Sequence, residues 1–148
     1  MRWVHKIRVM MLAKDNDVHS DIVSAVKEFS GLEPKVEPVE ESTNVMVTAE
    51  LAKESQQNDL IKRMLAGLGS QTKDIVDQLD SRLHEEEGEW NFYLRFDKKE
   101  YVASRKMVLT DGGNCLHVRL TLAVFPKKRD AAVELARKLF TTVVKKSI

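Results

Sequence analysis

A single cysteine, Cys115, denies this chain of 148 residues an internal disulfide framework and a cysteine-based zinc site. A reducing, cytoplasmic setting is the expectation. No apolar run approaches the roughly 18 residues of a membrane-spanning helix, so no membrane contact is expected. The opening residues, 1–12, mix basic and apolar positions and lack a small-residue cleavage site, which argues against a signal peptide. A glycine-rich phosphate loop is also missing. Gly67-Leu68-Gly69 is too short, and Gly112-Gly113 falls among hairpin residues. The four histidines never pair at metal-ligand spacing. The triple glutamate Glu85-Glu86-Glu87 has no second ligand cluster and reads as a solvated turn. No cofactor or metal is expected, and no residue is assigned a catalytic role.

What is present suits one globular domain over residues 1–148: 43% hydrophobic and 32% charged residues. The net charge of +1 conceals a split. Residues 1–89 carry 11 Lys and Arg against 18 Asp and Glu; residues 90–148 carry 13 against 5. Either the basic C-terminal part meets a polyanion, or the two halves neutralise each other inside the fold.

Periodicity supplies the elements. Residues 3–12 alternate as a strand, with Trp3, His5, Ile7, Val9 and Met11 on one face and Val4, Lys6, Arg8 and Met10 on the other. Asp15, Asn16 and Asp17 offer a cap to a helix carrying Val18, Ile22, Ala25, Val26 and Phe29, which Gly31 stops. Residues 33–43, with two prolines and four glutamates, read as a mobile acidic connector. A short strand at 45–49 precedes two helical stripes within 57–83. Strands are expected at 90–97, 105–110 and 115–125, the last two joined by a turn at 111–114, with a helix over 127–140. The order is β-α-β-α-α-β-β-β-α. It predicts a two-layer α+β domain, a mainly antiparallel five-stranded sheet with helices on one face.

The polar sheet face is the most informative surface. It should gather Lys6, Arg8, Tyr93, Arg95, His117 and Arg119, with Lys106 or Arg105 added from the strand at 105–110 according to its register. Cations neutralise phosphates, and an aromatic ring among them gives a base something to stack on. An ordinary solvent-facing sheet would look similar. Lys127, Lys128 and Arg129 stand at a helix N-terminus, where positive side chains oppose the helix dipole and invite an anionic partner. Asp97 reads as a strand-end residue whose carboxylate accepts backbone N–H groups. Cys115 reads as a buried structural thiol.

The run Tyr93-Leu94-Arg95-Phe96-Asp97-Lys98-Lys99 is similar to the leucine-arginine-x-aspartate-lysine motif of an archaeal family of RNA-binding proteins, also described as predicted exosome subunits. The resemblance continues through Leu116–Val124 to Phe125-Pro126-Lys127-Lys128-Arg129, and includes the opening Trp3-Val4-His5-Lys6-Ile7-Arg8. Lys99, Glu100 and Ser104 depart from the glutamine, small residues and glycine usual after the motif. The resemblance implies a fold like the ribosomal protein that binds 5S ribosomal RNA. It also implies RNA as partner and a role beside RNA-processing proteins of the exosome.

The reading is therefore a non-catalytic RNA-binding protein, an accessory in RNA processing or degradation. Its contacts are Lys6, Arg8, Arg95, Lys98, Lys99, Arg119, Lys127, Lys128 and Arg129 on phosphate, and Tyr93 on a base. Two readings compete. One is a protein-interaction module that uses the acidic N-terminal part. The other is a metal-dependent nucleic-acid-processing enzyme built on Asp97 and Glu85–Glu87.

Overall fold

The computed structural model describes residues 2–146, the last five by backbone alone. Strands β1 (Val4–Ala13), β2 (Lys35–Pro38), β3 (Val45–Leu51), β4 (Leu83–Glu86), β5 (Glu89–Asp97) and β6 (Cys115–Leu122) form one sheet in the order β2-β3-β1-β6-β5-β4. Every named pairing is antiparallel. The helices are α1 (His19–Ser30), α2 (Glu54–Leu68), α3 (Thr72–Asp77), α4 (Leu79–Arg82), α5 (Lys98–Ser104) and α6 (Arg129–Lys146). The domain is α+β, as its alternation predicts, with six strands in place of five.

The core lies between the sheet and its helices. Ile7, Val9, Met11, Val47, Ala49, Leu51, Phe92, Leu94, Phe96, Leu116, Val118 and Leu120 are buried from the sheet side. Ile22, Val26, Phe29, Leu60, Met64, Ile75, Leu139 and Phe140 meet them from the helices. Ring contacts cross this seam: Phe29 lies 5.8 Å from Phe96 and 5.4 Å from Tyr101, and Phe92 lies 5.2 Å from Phe140.

Several elements differ from the periodic reading. In β1 the register slips between Val4 and Lys6, so His5 is an extra residue in the strand. The bulge turns Val4 inward and His5 outward, reversing the expected faces at that end. Its freed carbonyl is not left unpaired, because the side chains of Gln57 and Arg2 both donate to His5 O. The segment read as a mobile connector contains β2, at the outer edge of the sheet. A proline-bearing strand belongs at an edge, since Pro38 cannot donate to a ladder.

The expected strand at 105–110 is reduced to one bridge, Leu109 to Phe96 on β5. Arg105 instead ends α5 in a left-handed conformation, a helix too short and polar to stand out in the sequence. Residues 108–110 lie across β5 from β6, so 111–114 does not close a hairpin. The tight hairpin is β4–β5, where Glu87 and Gly88 both take positive φ (52° and 82°), as a two-residue turn requires. Helix α1 follows Val18 with no side-chain cap, and Gly31 stops it at φ 78°. Among the described residues, no helix is long and apolar enough to cross a membrane.

Candidate nucleic-acid interface

The sheet face turned away from the helices carries Lys6, Arg8 and Met10 from β1, Tyr93 and Arg95 from β5, and His117 and Arg119 from β6. Register fixes their neighbours. Arg8 stands directly opposite Arg119, which stands opposite Tyr93; Met10 stands opposite His117, which stands opposite Arg95. Like charges placed opposite one another on adjacent strands destabilise a sheet by a few tenths of a kcal/mol or more unless something neutralises them. The flank formed by β3 and β2 is different. Glu50 lies opposite Arg8 and pairs with Lys6 at 3.5 Å, and Glu37 lies one strand further out. The cations of this face are therefore densest on β1, β6 and β5, with Lys35 on β2 at the outer end of the row that runs through Thr48 and Met10 to His117.

Tyr93 is the aromatic centre of that strip. Its ring lies 5.6 Å from His84 and 5.3 Å from His117, so three rings line up across β4, β5 and β6. Its hydroxyl donates to Glu86 on β4. Burial, and then the Glu86 carboxylate, push the phenol up to about 12, so the proton stays in that bond; Arg119 pulls the other way. Burial, and then Arg95, Arg119 and Arg8, hold the His117 imidazole below its usual range. It is neutral near pH 7 in a field made by three guanidiniums.

Other cations named by the sequence are placed elsewhere. Lys98 is only 4% exposed. Its ammonium donates to the Leu12 carbonyl at 2.7 Å and pairs with Asp17 at 2.5 Å, so it is withdrawn from any phosphate. The hydrogen bond from Lys98 lowers the Asp17 carboxyl, against the opposing pull of burial. Lys99 is exposed on α5, where it borders a hollow with Asp17, Asp21 and Asn114. Lys127 pairs with Glu89 at 2.7 Å, and Arg129 pairs with Asp80 at 3.0 Å while lying over the Trp90 ring. Lys128 is exposed between them.

These pairs settle where part of the charge asymmetry goes. Asp17, Glu28, Asp80 and Glu89, all from the acidic half, pair with Lys98, Arg105, Arg129 and Lys127 from the basic half. Part of the split is therefore compensated internally, while Arg95 and Arg119 on the open sheet face carry no ion pair among the described residues.

Asp97 is the N-cap of α5, its Oδ1 accepting the Glu100 N–H at 2.9 Å. That is the structural role its position suggested. Cys115 is half-buried, and burial pushes its thiol up, away from thiolate chemistry. Among the described residues no three His, Cys, Asp or Glu side chains gather as metal ligands would.

Sequence reasoning missed Arg82 and His84. Arg82 falls in the helical stretch 57–83 and His84 in the closing turn after it, yet α4 and β4 bring them beside β5, where Arg82 donates to the Tyr93 carbonyl at 3.5 Å. Only the Glu87-Gly88 turn hinted at the hairpin that places them.

No protein-family model matches the chain, and no curated protein does either. Solved structures do. The fold is similar to that of a DUF54 protein from Archaeoglobus fulgidus, with 25% identity and a TM-score of 0.81 over 94% of this chain and 99% of that one. A DUF54 protein from Methanothermobacter thermautotrophicus matches with 18% identity and a TM-score of 0.71, over 93% and 98% of the two chains. A DUF54 protein from Sulfolobus solfataricus matches with 14% identity and a TM-score of 0.72, over 97% and 99%. The structures it resembles are thus archaeal α+β proteins, matched over nearly their whole length.

Proposed function

We propose that the open sheet face binds single-stranded RNA without cleaving it, as an accessory to RNA processing or degradation. Arg8, Arg95 and Arg119 take phosphates, and Tyr93 with its flanking histidines offers the stacking surface. The observation that carries this reading is the Arg8–Arg119 opposition beside Tyr93. Arg8 has Glu50 opposite it on its other side, whereas Arg119 stands between Arg8 and Tyr93 with no carboxylate opposite, a place that a phosphate can fill. The motif resemblance around Tyr93–Lys99 supports the same reading, and it alone suggests a place beside exosome-like processing proteins. The acidic half is a weaker docking surface, because four of its carboxylates already hold basic side chains of the same chain.

Binding of a short single-stranded RNA, followed across a salt series, tests it. Three or four neutralised phosphates give a log–log slope of about −2 to −3, at roughly −0.7 each. Tyr93→Ala should weaken binding by about 1–3 kcal/mol with the slope nearly unchanged. No binding at low salt, together with nuclease-resistant capture of a protein partner, would overturn the reading in favour of a protein-interaction module.

A further inference from the structure

The open face is hollowed at its β5 edge. Strand β4 pairs with β5 only as far as Phe92. Beyond it the edge is taken first by Arg82 at Tyr93 O and then by Thr110, whose N–H donates to Arg95 O at 3.0 Å. Where the partner changes, a cavity of about 510 Å³ opens, bordered by Arg82, His84, Glu86, Tyr93, Arg95 and His117. That volume lies within the range of small-molecule sites, roughly 300–1,000 Å³.

The chemistry of this cavity has two ends. Glu86, at the hairpin end of β4, and His84, near its start, lie on one side of Tyr93, whereas Arg95 lies two residues beyond Tyr93 on the same face of β5. Tyr93 and Arg95 are therefore about 6.6 Å apart along the strand, a span that a ribose can bridge between base and phosphate. Arg82 sits level with Tyr93 at the edge. Arg82 donates to Tyr93 O at 3.5 Å and to Gln78 Oε1 at 2.9 Å, and Arg95 donates to Asp111 O at 3.3 Å, so both guanidiniums are held at the cavity wall. Burial makes the Arg82 charge less favourable than in water, a deficit that Asp111 relieves and Arg95 worsens.

We propose that this cavity receives one phosphate-bearing nucleotide, its base against the Tyr93 ring row and its phosphate on Arg82 and Arg95. The proposal deepens the RNA-binding reading and rests on it for the source of the ligand. Glu86 accepts the Tyr93 hydroxyl through one carboxylate oxygen, and its other oxygen can take an N–H from a base edge. The two carboxylates, Glu86 and Asp111, offset the two guanidiniums. The site therefore suits a monophosphate better than a triphosphate. A nucleoside monophosphate unit can come from the end of an RNA strand or from a free nucleotide.

Calorimetry on the full chain separates these sources. The probes are adenosine, adenosine 5′-monophosphate, and one short oligoadenylate made with free ends, with a 5′-phosphate or with a 3′-phosphate. A phosphate at one end should tighten oligonucleotide binding about tenfold. Arg82→Gln and Arg95→Gln should each remove that gain, and Lys62→Ala, exposed on α2 in the helix layer, should preserve it. Arg95 is exposed, so its variant keeps the test open if Arg82→Gln misfolds. Tight binding of the monophosphate but not of adenosine also supports the cavity, even if no oligonucleotide binds and the wider RNA reading falls. Equal binding of all three oligonucleotides, insensitive to both substitutions, would overturn the cavity and leave the RNA-binding face standing. No binding of any probe would overturn both.

Discussion

Lys98 Nζ lies 2.5 Å from Asp17 Oδ2 and 2.7 Å from the carbonyl of Leu12, joining the start of α5 to the loop that follows β1. The lysine side chain is 5% exposed and the aspartate 24%. The pair is thus mostly desolvated on one side only. Removing one partner of a fully buried pair costs about 3–5 kcal/mol. Partial exposure of Asp17 brings the expectation for Lys98→Ala nearer to about 2 kcal/mol. Urea unfolding measures it. A loss of RNA affinity with unchanged stability would contradict the structural role.

The same pair sets an acid limit. The Asp17 carboxyl titrates lower in the folded state than in the unfolded chain. Its contribution is complete above the unfolded value of about 4 and is lost as pH falls through the lowered folded value. Asp17→Asn should therefore be less stable than the parent at neutral pH, with the difference shrinking below about pH 4. Melting temperatures at several acid pH values check this.

Arg8 should separate stability from binding. Arg8→Gln removes a charge that has the like-charged Arg119 on one side and the oppositely charged Glu50 on the other. The two losses offset each other, so fold stability should change by less than about 0.5 kcal/mol, while the salt slope of RNA binding flattens by roughly 0.7. Chemical denaturation and a salt titration of one variant read both. A destabilised variant would mean that Arg8 has a structural partner.

His117 should link binding to pH. Its folded-state pKa is lowered, so the free protein loses stability as pH falls below about 6.5, where the unfolded chain takes up a proton more readily. Phosphate bound to Arg95, Arg119 and Arg8 removes the charges that oppose the imidazolium. Binding should then take up protons, and RNA affinity should rise from pH 8 toward pH 6. His117→Asn should remove that rise while keeping the salt slope. A pH-independent affinity in the parent protein would sink the linkage.

The three cations before and at the start of α6 should not behave alike. Lys127 and Arg129 are already paired, with Glu89 and Asp80, and Lys128 is exposed. Lys128→Ala should flatten the salt slope by up to roughly 0.7, and Lys127→Ala and Arg129→Ala by less. Arg129→Ala should also lose its cover of Trp90, worth about 0.5–1 kcal/mol of stability. Equal slopes for all three would mean that RNA breaks the ion pairs.

Alternation within β5 and β6, and the helical stripes of α1 and α2, were legible in the sequence because burial on one face imposes a period on the side chains. That periodicity determines the layer arrangement and the makeup of the polar face: Arg8, Tyr93, Arg95, His117 and Arg119 all lie where the two-residue repeat puts them. Tertiary structure decided the rest. One bulge at His5 exchanged the faces of Val4 and His5, because a single extra residue reverses a period of two. Lys98 reads as basic and exposed in sequence, yet the N-cap at Asp97 turns the chain into α5 and carries that ammonium to Asp17, 81 residues away. Arg82 and His84 joined Tyr93 only through the β4–β5 hairpin and the stop in pairing after Phe92. Local pattern specifies which face a residue occupies; which charges cancel and which stay unpaired depends on contacts between distant segments, and these no short-range spacing records.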